Sequence, residues 1–299
     1  MRPGTLLIDW KQTQNCIIAQ QRQISSGCWS EPIVFLSTKD LNMGHTEIHL
    51  YAGCWNEEAM LPFFFEHYDR FVTKYFIYDN DSTDRSLEIL NAHPRVTVRP
   101  LVLEGRSYSE AGLKQLRAMK FEESLLANWV TVCNIDEFFW HPDVLSYLED
   151  METEGVTLVK AEGYQMVSDH FPSSGEHLPA TIKQGARFRK MDKIAFFKPA
   201  EVPDLGFSAG RHRSAPVGNV VRPKVEEVKL LHYKHLSLDY VLKRHSELNK
   251  RRRVRDVKKN YGYHYSEDVT LDRHALYKQD AINVVDLFTN AYSRPLKGS

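Results

Sequence analysis

The run Trp129-Val130-Thr131-Val132-Cys133 is apolar or β-branched at every position and passes at once into Asn134-Ile135-Asp136-Glu137; no other stretch limits the fold so strongly. A short run without polar alternation predicts a strand covered on both faces, and such strands belong to parallel sheets flanked by helices. Upstream, Ile48–Ala52, Tyr75–Tyr78 and Val96–Val98 also read as strands. Helical patterns separate them. One is expected to be capped by Asn56, opening with Glu57-Glu58 and running through Met60, Leu61, Phe64 and Phe65. A second covers about 84–91, with Ser82, Thr83 or Asp84 able to cap it, and a third covers Ala111–Leu126 with apolar Leu113, Leu116, Met119 and Leu125. This alternation predicts an α/β fold built on a mixed, mostly parallel sheet flanked by helices.

The second half is less regular. Val156–Ala161 and Lys193–Phe197 are strand candidates, and Pro172–Pro179 and Asp204–Pro216 are loop-like. A last strand, Val228–His232, leads into a helix capped by Ser237 that ends in the basic run Lys250-Arg251-Arg252-Arg253. Residues 1–45 lack sustained periodicity and read as an extension. Residues 46–265 form the main domain, and 266–299 read as a C-terminal helical tail. There is no internal repeat and no linker rich in Gly, Ser or Pro.

Composition narrows the classes of function. With 299 residues, 42% of them hydrophobic, the chain can bury a substantial core. Its formal net charge is zero, so no global field draws it to nucleic acid. Cys16, Cys28, Cys54 and Cys133 show no C-x-x-C spacing, which predicts reduced thiols and a cytoplasmic chain. No apolar run approaches the roughly 20 residues that span a bilayer. The basic stretch Lys243–Lys259 reads as a solvated face or a weak contact with an anionic membrane.

Two strand ends carry the chemistry. Asp79-Asn80-Asp81-Ser82-Thr83-Asp84 closes the strand at Tyr75–Tyr78, and the carboxyl ends of strands are where open α/β sheets bind ligands. Asp79 and Asp81 are expected to face a ligand. At the end of the 129–133 strand, Asn134 and Asp136 share one face and can hold a divalent cation against a diphosphate, since Mg²⁺ and Mn²⁺ take oxygen ligands supplemented by substrate phosphates. A calcium loop at 79–90 is excluded because its sixth and twelfth positions are Asp84 and Leu90 rather than Gly and Glu. A Gly-rich phosphate loop after the first strand is excluded as well, because Cys54-Trp55-Asn56 stands there.

Taken in order, Cys54-Trp55-Asn56-Glu57-Glu58, Phe63-Phe64-Phe65-Glu66-His67-Tyr68, Tyr78-Asp79-Asn80-Asp81-Ser82-Thr83-Asp84 and Asn134-Ile135-Asp136-Glu137-Phe138-Phe139 resemble the family 2-like glycosyltransferases of the GT-A fold. The resemblance is narrowest to a branch with Y-D-N-x-S-x-D and D-x-D-E-F motifs. It extends over roughly 46–265, through Gly210-Arg211-His212 and Leu231-His232-Tyr233-Lys234-His235. It implies a donor-binding half at 46–140, an acceptor half at 141–265, and transfer of a sugar from a UDP- or GDP-linked donor to a glycan or lipid-linked acceptor. Asn56, Glu58, Asp79, Asp81 and Asn134 would then meet the nucleotide sugar. Asp136 and His232 would hold Mn²⁺ or Mg²⁺, and Arg117 and the Lys or Arg residues around Arg211 would add charge for the diphosphate.

The chain departs from the motif at Asn134, where the branch has its first aspartate. The neutral carbonyl there weakens a metal site, and so a nucleotide-sugar-binding module without transfer activity is the alternative function. His212 and Glu137 are the catalytic candidates; for the base, Asp169, Glu176, Asp192 and Asp204 qualify by position and His212 by its titration range.

Overall fold

The computed structural model describes residues 46–118 and 121–286. Expectations for residues 1–45, including Cys16 and Cys28, and for Met119 and positions 287–299, lie outside the described residues. The first strands are β1 (Ile48–Cys54), β2 (Lys74–Asp79), β3 (Val96–Pro100) and β4 (Trp129–Asn134). They pair in parallel in the order β3-β2-β1-β4, so that all four carboxyl ends open on one edge. Two later strands, β6 (Leu158–Lys160) and β9 (Ile194–Phe197), complete this sheet with antiparallel pairings. The α/β class expected from the alternation, a mixed and mostly parallel sheet flanked by helices, is what the chain adopts.

Period-two alternation explains why β1 and β4 occupy the middle. Ile48, Leu50 and Ala52 pack on one face of the sheet with Trp129 and Cys133, while Tyr51, Val130 and Val132 pack on the other with Phe76 and Phe197. Both faces are thus covered, as the unbroken apolar run required. The first face is closed by α1 (Leu61–Tyr68), which buries Leu61, Phe63, Phe64, Phe65, His67 and Tyr68. This helix starts later than expected. Asn56 takes a left-handed backbone (φ 50) instead of capping it, and the turn is closed by the Glu57 carbonyl, which accepts from the N–H groups of Met60 and Leu61. Helix α2 (Ser86–Ala92) is preceded by Arg85 at the cap position; Asp84 contributes its Oδ1 to the N–H of Ser86 at 2.9 Å. The helix expected over Ala111–Leu126 is α3 (Tyr108–Ala118), followed by a short 3₁₀ turn at Glu122–Ser124.

The chain changes sheets at the Asp136 turn. β5 (Glu137–Trp140) leaves the first sheet and joins a second, ordered β11-β8-β7-β10-β5, with β7 (Glu162–Val167), β8 (Gln184–Arg187), β10 (Lys229–His235) and β11 (Ile282–Asn283). Sequence reasoning missed β5, β7, β8 and β11, most of them four residues or shorter. Between these strands lie α4 (Val144–Thr153) and α5 (Leu178–Thr181); after β10 come α6 (Leu238–Lys250), α7 (Val254–Lys258) and α8 (Glu267–Gln279). The Ser237 cap on α6 is present, its hydroxyl accepting from the N–H of Tyr240 at 3.2 Å. In the region read as a helical tail, α8 is followed by β11, which pairs with β8. Cys54 and Cys133 are buried free thiols, and no helix among the described residues is long and apolar enough to cross a membrane.

Candidate active site

The seam between the two sheets places the site. β10 runs antiparallel to β5 with His232 opposite Glu137, and the N–H of Tyr233 donates to the Asp136 carbonyl at 2.8 Å. Alternate residues of β10 share a face, so His232 and Lys234 both reach Asp136. Its Oδ2 lies 3.2 Å from His232 Nε2 and 3.5 Å from Lys234 Nζ. Burial alone would raise the Asp136 pKa; Lys234 and His232 outweigh it and hold the carboxyl well below the usual range.

Glu137 is fully buried and its carboxylate is fully engaged. Oε1 accepts from Lys193 Nζ at 2.6 Å and from Asn134 Nδ2 at 3.1 Å, and Oε2 accepts from Arg211 Nη2 at 2.5 Å. Against the cost of burial, Arg211 and Lys193 pull its pKa down to about 2, while burial pushes Lys193 down to about 8. One carboxylate between two cations leaves net positive charge beside the cavity. Arg211 also donates to the Val132 carbonyl and, through Nη2, to Asn134 Oδ1 at 3.2 Å. It reaches inward from a tight turn in which both Gly210 (φ 66) and Arg211 (φ 57) are left-handed. The left-handed backbone favours glycine at 210, and a Cβ there would also press on His212 Nε2 at 2.6 Å.

These groups flank a cavity of about 880 Å³ at the carboxyl edge of the parallel sheet, within the size range of small-molecule sites. Ala52, Gly53 and Asn134 line it from β1 and β4, α3 supplies an outer wall, and Glu137, Lys193, Arg211, His212, His232 and Lys234 line its interior. His212 donates from Nδ1 to the Lys190 carbonyl at 2.8 Å, which leaves Nε2 as the bare nitrogen. Partial desolvation at the cavity edge, helped by Lys193, lowers its pKa and favours the neutral ring.

Of the residues singled out by sequence, Asn134, Glu137, His212 and His232 line the cavity, and Asp136 joins them through His232. The others stand apart. Asn56 Oδ1 accepts from the N–H of Thr83 at 2.7 Å, Glu58 Oε2 from the N–H of Arg85 at 2.9 Å, and Asp79 holds Ser82 through both oxygens at 3.0 and 2.5 Å. Asn56 and Glu58 stitch the β1 and β2 loops to each other, and Asp79 braces the β2 loop from within. Asp81 is exposed and left-handed, with φ 55. Arg117 donates to the Phe207 carbonyl at 3.1 Å. Asp169, Glu176, Asp192 and Asp204 are all outside the large cavity; Asp192 is clamped by Arg187 at 2.6 and 2.9 Å.

Sequence reasoning did not single out Lys193, Lys234, Arg244 or Glu57. Glu57 turns inward beside Asn56 and pairs with Arg244 at 2.5 Å; burial nevertheless pushes its carboxyl up to about 7. Much of the basic stretch Lys243–Lys259 is turned onto the chain itself. Arg244 holds Glu57, Arg251 donates to Asn80 Oδ1 at 2.6 Å, and Arg255 and Lys259 both pair with Glu110.

A divalent cation would find one carboxylate and one imidazole here, with donor atoms close enough to share it. Asp136, Glu137 and His232 are the one group of three His, Cys, Asp or Glu side chains among the described residues whose ligand atoms converge to within 4.8 Å. The fit is to Asp136 and His232, because Glu137 is committed to Lys193 and Arg211.

No family model matches the chain, and no curated protein matches it. Among solved structures, S. aureus TarS 1-349 is similar over 84% of this chain and 75% of its own, at 10% identity and a TM-score of 0.38. A complex of TarS 1-349 with UDP is similar over 43% and 38%, at 12% identity and a TM-score of 0.32. Glucosyl-3-phosphoglycerate synthase from Mycobacterium tuberculosis, with Mn²⁺, UDP and glucosyl-3-phosphoglycerate, is similar over 46% and 50%, at 21% identity and a TM-score of 0.28. Against another TarS structure the similarity covers 23% of that chain. Likeness this slight establishes neither family nor activity.

Proposed function

We propose that the chain is a glycosyltransferase that moves a sugar from a UDP- or GDP-linked donor to a hydroxyl of a glycan or lipid-linked acceptor. One observation carries this. At the carboxyl edge of a parallel sheet, beside a cavity of nucleotide-sugar size, the Asp136–His232 pair meets the half-buried Lys234, and the adjoining Glu137 holds two buried cations, Lys193 and Arg211. A departing nucleoside diphosphate needs that concentration of positive charge, and fixed charges in a water-poor site act without reorganising. Glu137 serves by holding Lys193 and Arg211 in place. Mg²⁺ or Mn²⁺ held by Asp136 and His232 would neutralise further charge on the diphosphate. The bare Nε2 of His212 takes the proton of the acceptor hydroxyl, and its depressed pKa keeps that nitrogen unprotonated at neutral pH. The motif order described above adds the resemblance to the sugar-transfer branch.

The second reading is a nucleotide-sugar-binding module, favoured by one contact: the Lys234 ammonium already lies 3.5 Å from Asp136 Oδ2, where a divalent cation would compete with it. Calorimetric titration of UDP and GDP, with and without Mn²⁺, separates the two. Transfer predicts that Mn²⁺ strengthens binding of one nucleotide and that Asp136→Ala abolishes this gain. Binding indifferent to the metal favours the module, and absence of binding to both nucleotides overturns both.

A further inference from the structure

The outer wall of the cavity is α3, of which Gly112, Leu113 and Leu116 line it. This helix is weakly anchored by its own packing. From Tyr108 to Arg117 none of its residues is buried. Its anchor is polar and comes from the far end of the chain. Ser107 caps the first turn by accepting from the N–H of Glu110 at 3.1 Å, and the Ser107 hydroxyl donates to Asp256 Oδ1 at 2.6 Å. Asp256 also accepts from the N–H groups of Tyr108 at 2.8 Å and Ser109 at 3.3 Å, and from the N–H of Arg253 at 3.0 Å. It thus satisfies first-turn donors that a helix start leaves without partners. Its relative exposure is 1%. Around it, Arg253 donates to the carbonyls of Leu103 and Gly105, and Arg251 donates to Tyr108 Oη while stacking 3.7 Å from the Trp55 ring centre.

We propose that Asp256 is a positioning residue for the donor: by capping α3 from α7 it fixes the cavity wall, so that nucleotide affinity depends on a side chain that does not touch the nucleotide. This rests on the cavity being the nucleoside diphosphate site. Binding that needs the wall in place must, by linkage, also hold the wall more firmly.

Hydrogen exchange at residues 107–118, combined with calorimetry of whichever of UDP and GDP the wild-type chain binds, tests it. In Asp256→Ala, exchange there should rise at least tenfold while the central strands keep their protection, and nucleotide affinity should fall at least tenfold. Saturating nucleotide should slow that exchange again. Ser107→Ala removes one partner of the same carboxylate and should give a smaller loss of both; it carries the test if Asp256→Ala does not fold. Faster exchange with unchanged affinity makes Asp256 structural only and overturns the proposal, as does unchanged exchange in both variants. If the wild-type chain binds neither nucleotide, the reading of the cavity falls first and this inference with it.

Discussion

Among single residues, Glu137 ties two buried cations to one carboxylate. It is a buried carboxylate between Lys193 and Arg211, and removing its charge leaves two cations without a counter-ion in a low-dielectric interior. Breaking a buried pair in this way costs about 3 kcal/mol or more, so Glu137→Gln should lower the urea midpoint by a corresponding amount at unchanged m-value. A shift under about 0.5 kcal/mol would contradict the charge accounting. How legible these residues were in sequence follows from how each is placed. Asp136 and Asn134 were readable because a strand end displays i and i+2 on one face. His232 was readable from the motif order. Arg211 was readable only as part of Gly210-Arg211-His212, and Lys193 only as the start of an expected strand; their shared contact with Glu137 was not readable, because it depends on a left-handed turn and on strand register. The turn did leave a trace, in Gly210 before Arg211. At the β1 loop the expected residues were neighbours of the inward one: Asn56 turns left-handed, Glu58 faces the β2 loop, and Glu57 enters the interior.

Among elements, the strands that form from β-branched and aromatic runs were legible, whereas β5, β8 and β11 are short and owe their existence to partners far along the chain. β7 shows how closely such elements must approach. A Cβ at Gly163 would lie 2.3 Å from Met191 Cβ and 2.6 Å from its carbonyl oxygen, on the turn that leads to Lys193. Overpacking against backbone costs about 1–3 kcal/mol. Gly163→Ala should therefore lower stability by about 2 kcal/mol and, by displacing that turn, weaken nucleotide binding as well. Calorimetric melting and nucleotide titration of the same variant check both parts; a melting temperature equal to wild type would show that the turn yields freely.

For the whole molecule, acid is the informative stress. His67, beneath the first sheet, donates from Nε2 to the Phe139 carbonyl at 2.9 Å and stacks on Phe138 at 4.9 Å; burial pushes its pKa down from 6.5 to about 3. The folded chain holds this ring neutral while the unfolded chain protonates it below about 6.5. The unfolded state then binds more protons, so stability falls as pH drops through 6.5 toward 3, by about 2 kcal/mol at pH 5. Urea midpoints at pH 7.5 and 5.0 should diverge accordingly, and His67→Phe, although less stable at pH 7.5, should lose less on acidification. Equal losses in the two proteins would place the acid sensitivity elsewhere.

The change of sheet at the Asp136 turn carries a consequence for folding itself. Asp136 stands where the first sheet ends, His232 and Lys234 arrive on the second, and Lys193 borders β9, which returns to the first. Neither 46–140 nor 141–265 contains the whole set, since Asp136 lies in the first and Lys193, His232 and Lys234 in the second. Under the proposed function, affinity for the nucleotide would emerge only when both sheets have closed on each other, and the ligand would be a reporter of completed assembly: it would stabilise the finished chain by mass action and leave every partly folded form behind.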